Sequence, residues 1–131
     1  NSIIDRDIKI LIAEDEIFAF EYLKIILKEF KPTIIHAKTG TEAVDFCKNN
    51  NDINIVLMDI KMPGMDGYEA TAEIRKFNKD LVIIAQTAYA QPSDRRDAIN
   101  AGCTDYISKP IDKDDLKNLI EKYTSKSVNN S

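Results

Sequence analysis

Four short stretches of this chain carry side chains suited to chemistry: Glu14-Asp15, Asp59, Thr87 and Lys109. Each follows or closes an apolar run, at 8–13, 55–59, 81–85 and 104–107 respectively. Runs this short and this apolar read as strands buried on both faces, as in a parallel sheet. The carboxyl ends of such strands form the edge where open α/β sheets place their ligands. Three carboxylates gathered there raise one another's pKa unless a cation joins them. Carboxylate oxygens with water suit Mg²⁺, which seldom takes a full protein cage, and Mn²⁺ is the substitute. Lys109 adds a second positive charge and Thr87 a hydroxyl donor. The set describes a pocket for a phosphoryl group attached to, or attacked by, Asp59.

The elements that must position these groups are legible in chain order. Helical spacing of Phe18, Tyr22, Leu23, Ile26, Leu27 and Phe30 predicts a helix over 17–30, ended by Pro32. A short strand at 33–37 precedes a helix at 41–50 with Ala43, Phe46 and Cys47 on one face. After the strand at 55–59, Met62-Pro63-Gly64 forces a turn, and Asp66 with Glu69 makes a capping box for a helix over 68–77. That helix faces inward through Ala70, Ile74 and Phe77. Pro92 at the start and Gly102 at the exit bound a helix over 92–101. Asp112 with Asp115 caps the last helix, striped by Leu116, Leu119, Ile120 and Tyr123. Strand and helix alternate five times, which calls for right-handed crossovers and helices on both faces of a parallel sheet. The expected fold is α/β, a flavodoxin-like doubly wound (βα)5 unit with strand order 2-1-3-4-5.

The 131 residues suffice for one domain with a real core, and 44% hydrophobic with 31% charged content is that of an ordinary globule. A net charge of −4 disfavours nonspecific nucleic-acid binding and offers no basic patch for a membrane. No apolar run reaches the ~18 residues of a membrane helix. Cys47 and Cys103 form no CxxC pair, so free thiols in a reducing, cytoplasmic setting are expected. Residues 1–7 read as a linker remnant, 8–123 as the domain, and 124–131 as a loose tail. Starting on Asn1 points to a trimmed longer protein.

With these pieces assembled, the chain resembles the receiver domain of two-component response regulators over residues 8 to 123. The resemblance rests on Ala-Glu-Asp-Glu at 13–16, Met-Asp-Ile-Lys-Met-Pro-Gly-Met-Asp-Gly at 58–67, Thr87-Ala88, and Tyr-Ile-Ser-Lys-Pro at 106–110. It implies that Asp59 is the phosphoacceptor, served by a phosphohistidine on a histidine kinase or histidine phosphotransfer protein. It implies Mg²⁺ on Glu14, Asp15, Asp59 and the Lys61 backbone carbonyl, Lys109 on the phosphoryl oxygens, and a cis Lys109-Pro110 peptide. Thr87 and Tyr106 match the switch pair that alters a downstream-partner face on helix 4, strand 5 and helix 5. Self-dephosphorylation follows from the same resemblance, the acidic charge balance argues against binding of nucleic acid or membrane by this domain, and a homodimer stays open. The 65–71 and 109–111 segments further resemble receivers of hybrid sensor histidine kinases, with a single-domain regulator as the other origin.

Two departures stand out. Gln86 is polar where the family is usually apolar, implying a wetter strand end or a local hydrogen bond. Tyr89, two residues past Thr87, is bulky at a position beside the phosphorylation site in this family; it reads as a surface residue with no kinetic role, with restriction of the attacking water as the alternative. His36 reads as an ordinary histidine, Cys47 as core packing and Cys103 as a small residue in a turn. A haloacid-dehalogenase-type enzyme would place a second Asp where Lys61 stands. A flavodoxin-like cofactor binder would need a phosphate-cradling loop in place of Glu14-Asp15-Glu16. A phosphorylation-independent binding module is the remaining alternative.

Overall fold

The computed structural model describes residues 7–88 and 91–125. Five parallel strands lie in the order β2-β1-β3-β4-β5: β1 Lys9–Ala13, β2 Thr33–Ala37, β3 Ile55–Asp59, β4 Val82–Thr87 and β5 Asp105–Ser108. The helices between them are α1 Ile17–Leu27, α2 Gly40–Asn49, α3 Gly67–Arg75, α4 Pro92–Ala101 and α5 Lys113–Thr124. The doubly wound fold and its strand order are those expected. The order reverses between β1 and β3, which opens a crevice at their carboxyl ends.

Side-chain alternation divides the interior into two layers. Ile10, Ile12, Ile55, Leu57, Ile84 and Ile107 face α1 and α5, whereas Leu11, Val56, Met58, Ile83 and Ala85 face α2, α3 and α4. β3 is buried at every position, its terminal aspartate included. Each Leu- or Ile-sized side chain so buried contributes roughly 1.5–3 kcal/mol, so the strand that carries Asp59 is anchored on both faces.

The predicted caps form. Asp66 accepts from Glu69 N–H at 2.8 Å while the Glu69 carboxylate accepts from Asp66 N–H at 3.0 Å, and Asp112 accepts from Asp115 N–H at 3.0 Å. Thr39 caps α2 by accepting from Glu42 N–H at 3.0 Å, so that helix opens at Gly40. β4 runs on to Thr87, two residues past the expected end. The first helix is shorter than expected, closing in a single 3-10 turn at Lys28–Phe30.

The inward face of α1 differs from the expected stripe. Phe20, Leu23, Ile26 and Leu27 are buried, but Phe18 and Tyr22 are 80% and 46% exposed. α1 is apolar nearly all round, so apolarity alone does not select its face. Phe77, expected on the α3 stripe, lies past the end of that helix and is exposed. Among the described residues both cysteines are free and buried. Of the expected tail at 124–131, Thr124 instead ends α5, and residues 126–131 lie outside the described residues, as do Tyr89 and most of the expected linker.

Candidate functional site

β1 delivers Glu14 and Asp15 to the crevice, β3 delivers Asp59, and the segment after β5 delivers Lys109. One ligand oxygen from each of the three carboxylates lies within 4.8 Å of the others. Glu14 and Asp59 are almost fully buried while Asp15 is exposed, so the cluster has an inner wall and an open side. Lys109 Nζ stands 3.2 Å from Asp59 Oδ1 and 3.8 Å from Glu14 Oε1. The Lys61 N–H donates to Asp59 Oδ1 at 3.2 Å, which brings the backbone of the β3–α3 loop against the same carboxylate. The close fit of this loop depends on Gly67, where an added Cβ would collide with the carbonyl of Asp59. Lys109-Pro110 is a cis peptide, as the resemblance implied.

One lysine does not balance three carboxylates. Burial, followed by the charge of Asp59, pushes the Glu14 carboxyl up to about 7, against the lowering pull of Lys109 and the Glu16 N–H. Glu14 Oε1 is buried with no hydrogen-bond partner, the Lys109 ammonium at 3.8 Å being too distant to make one, so its desolvation is only partly offset. Hard oxygen donors, net negative charge, a buried oxygen without a hydrogen bond and an open side are what a hydrated divalent cation of the Mg²⁺ type requires. The residues therefore fit the ion.

A pH dependence follows from the Glu14 shift. Below about pH 7 Glu14 keeps its proton, and a cation must displace it, so apparent Mg²⁺ affinity falls on acidification and binding releases a proton. Calorimetric titration should give an affinity roughly tenfold lower at pH 6 than at pH 8. A flat profile would show that Glu14 is already ionised in the free protein. The sign for stability without the ion is opposite to that of a paired carboxylate. A carboxyl with a raised folded-state pKa favours the fold at acid pH, and that advantage is lost as pH rises from about 4.5 through about 7.

Thr87 is buried at the last position of β4, and its carbonyl accepts the Lys109 N–H at 2.7 Å. Alternation puts its side chain on the sheet face of Ala85, and Tyr106, paired with Ala85, is half-buried against the same layer. The two predicted switch residues thus share a face, and Asp59 projects from the other. Gln86 corrects an expectation: the strand end is not wet, because Gln86 is 2% exposed, and its Nε2 makes no hydrogen bond. His36, read as an ordinary histidine, lies with its Nε2 2.8 Å from the Glu14 carbonyl oxygen. Its one sequence signal is its place, one residue short of the end of the strand beside β1.

Fold and pocket together define a class: a flavodoxin-like α/β domain with an acidic, lysine-bridged site at the carboxyl edge of its sheet. The family model for the response regulator receiver domain matches residues 10–121, and the chain belongs to that family. It is 38% identical over 104 residues to the Helicobacter pylori sensor histidine kinase CheAY, covering 75% of this chain and 13% of that protein. The chain thus spans a small part of that curated relative. Among solved structures it resembles the receiver domain of the Saccharomyces cerevisiae response regulator Ssk1, crystallised with the histidine phosphotransfer protein Ypd1. The TM-score is 0.85 at 31% identity, with 90% of this chain and 89% of that chain covered. It also resembles the receiver domain of the Pseudomonas aeruginosa sensor histidine kinase PA1611, which holds a magnesium ion in its active-site cleft. There the TM-score is 0.83 at 29% identity, over 92% of this chain and 99% of that one. No helix among the described residues is long and apolar enough to cross a membrane.

Proposed function

We propose that this receiver domain, taken as residues 8–123, accepts a phosphoryl group on Asp59 from a phosphohistidine and loses it slowly to water. A carboxylate oxygen of Asp59 attacks phosphorus as the P–N bond to the donor imidazole breaks, and the departing imidazole picks up a proton. The product is an aspartyl phosphate, and water returns it to carboxylate and inorganic phosphate. The observation that carries this reading is the placing of Lys109 Nζ 3.2 Å from Asp59 Oδ1 beside two further carboxylates. Lys109 offsets charge on the transferring oxygens, and β3 and the Lys61 N–H hold the nucleophile in line. Glu14, Asp15, Asp59 and the Lys61 carbonyl would hold Mg²⁺, which when bound would supply the rest of the charge neutralisation. Phosphorylation then favours one packing of Thr87 and Tyr106, changing the face made by α4, β5 and α5. The magnesium-bound relative and the relative crystallised with a phosphotransfer protein support this reading.

The test is incubation with Mg²⁺ and acetyl phosphate, followed by intact mass. One added phosphate, labile to hydroxylamine, is the expected result. No uptake together with no Mg²⁺ binding would favour a phosphorylation-independent binding module.

The exposed residues of α1 bear on the donor. Ile17, Phe18, Tyr22 and Ile25 are 46–80% exposed on the helix that starts beside Glu14 and Asp15. A protein that delivers a phosphohistidine to Asp59 must cover this rim, and an apolar stripe suits a helical partner. Phe18→Asp should slow transfer from a phosphorylated phosphotransfer protein at least tenfold while uptake from acetyl phosphate stays near normal. Equal loss with both donors would place the effect in the pocket instead.

A further inference from the structure

We propose that His36 is a positioning residue that holds the Glu14-Asp15 turn in the geometry a divalent cation needs; the inference rests on the phosphoacceptor reading above. The start of α1 contributes one bond to a side chain of this turn, from the Glu16 N–H to Glu14 Oε2 at 3.2 Å. Its N-cap residue, Glu16, makes no side-chain capping bond, and the first turn of α1 contains no acidic residue. The backbone of the turn is held from the end of β2, which grips Glu14 at both backbone groups. Glu14 N–H donates to the Ala37 carbonyl at 2.9 Å, and the Glu14 carbonyl lies 2.8 Å from His36 Nε2. A carbonyl oxygen can only accept, so Nε2 carries the hydrogen.

The ring that makes this bond is itself fixed. His36 stacks on Phe20 with centroids 3.6 Å apart and planes within 6°, and Phe20 is buried on the inward face of α1. One side chain therefore links the end of β2, the acidic turn and the first turns of α1. Its hydrogen bond matters because Glu14 and Asp15 repel Asp59, and a turn bearing two carboxylates relaxes outward unless its backbone is held. A partner that orients a metal-bearing residue typically changes metal affinity ten- to a hundredfold.

The experiment exploits the fact that His36 is the sole histidine. Long-range proton–nitrogen NMR of the wild-type imidazole should show the Nε2–H tautomer in the neutral ring, with ring shifts that move on Mg²⁺ addition. Calorimetric Mg²⁺ titration then compares His36→Phe, which keeps a stacked ring and removes the donor, with His36→Gln, which places an amide donor near Nε2. The Phe variant should bind Mg²⁺ about tenfold more weakly with little change in melting temperature, and the Gln variant within about twofold of wild type. An Nδ1–H tautomer would overturn the proposal, and this reading needs no variant to fold. Unchanged affinity in the Phe variant would also overturn it, as would equal losses in both variants that follow their melting temperatures. Wild-type protein that binds no Mg²⁺ would overturn the cation reading of the pocket, and the role of His36 with it.

Discussion

Asp59→Asn should abolish phosphate uptake completely, with intact mass after acetyl phosphate and Mg²⁺ unchanged from the untreated protein. The amide keeps the shape of the side chain at a position only 3% exposed, so the fold should survive. It removes the proposed nucleophile and one of the three carboxylates proposed to hold the cation, so Mg²⁺ affinity should fall at least tenfold as well. It also removes the charge that is the second cause of the raised Glu14 pKa. Without divalent ions the variant should therefore melt higher than wild type near pH 8, where two buried carboxylates otherwise repel. Phosphate still added to this variant would mean that another residue is the acceptor.

Lys109→Ala should separate chemistry from ion binding. The ammonium lies within 3.8 Å of both buried carboxylates, where phosphoryl oxygens would also develop charge. Losing a preorganised cation of this kind costs on the order of 10²–10³ in rate, read as the initial rate of phosphate gain at saturating Mg²⁺. Mg²⁺ affinity should hold or rise, because a competing positive charge has gone from the same oxygens. Lys109→Arg should not restore the rate, since a planar guanidinium does not reproduce a point charge on a flexible stem. A Lys109→Ala protein that takes up phosphate at the normal rate would leave the pocket as an ion site without the proposed charge compensation.

Asp59 and Lys109 both stand out in the amino-acid sequence, and the reason is local. Strands that end in charge, a turn at Met62-Pro63-Gly64 and caps at Asp66 and Asp112 are written in neighbouring residues. The alternation of five strands and five helices then leaves few arrangements. Gln86 shows where such reasoning stops. A glutamine at a strand end reads as wet, but β4 continues to Thr87 and is flanked by β3 and β5, which seals the side chain in.

Local periodicity and punctuation are enough to give the fold class, the order of the elements and the identities of the candidate acceptor, its lysine and its acidic neighbours, whereas the end of β4 lies two residues beyond its apolar run. Packing adds that Glu14 is buried and Asp15 exposed, since two adjacent carboxylates are alike until a sheet covers one of them. Packing likewise selects which side of the apolar α1 faces inward and which is left exposed. It also sets His36 against the Glu14 carbonyl, a contact between residues 22 apart that no local pattern encodes. Burial and long-range contact depend on what the chain packs against, and that is settled only when all five strands are in place.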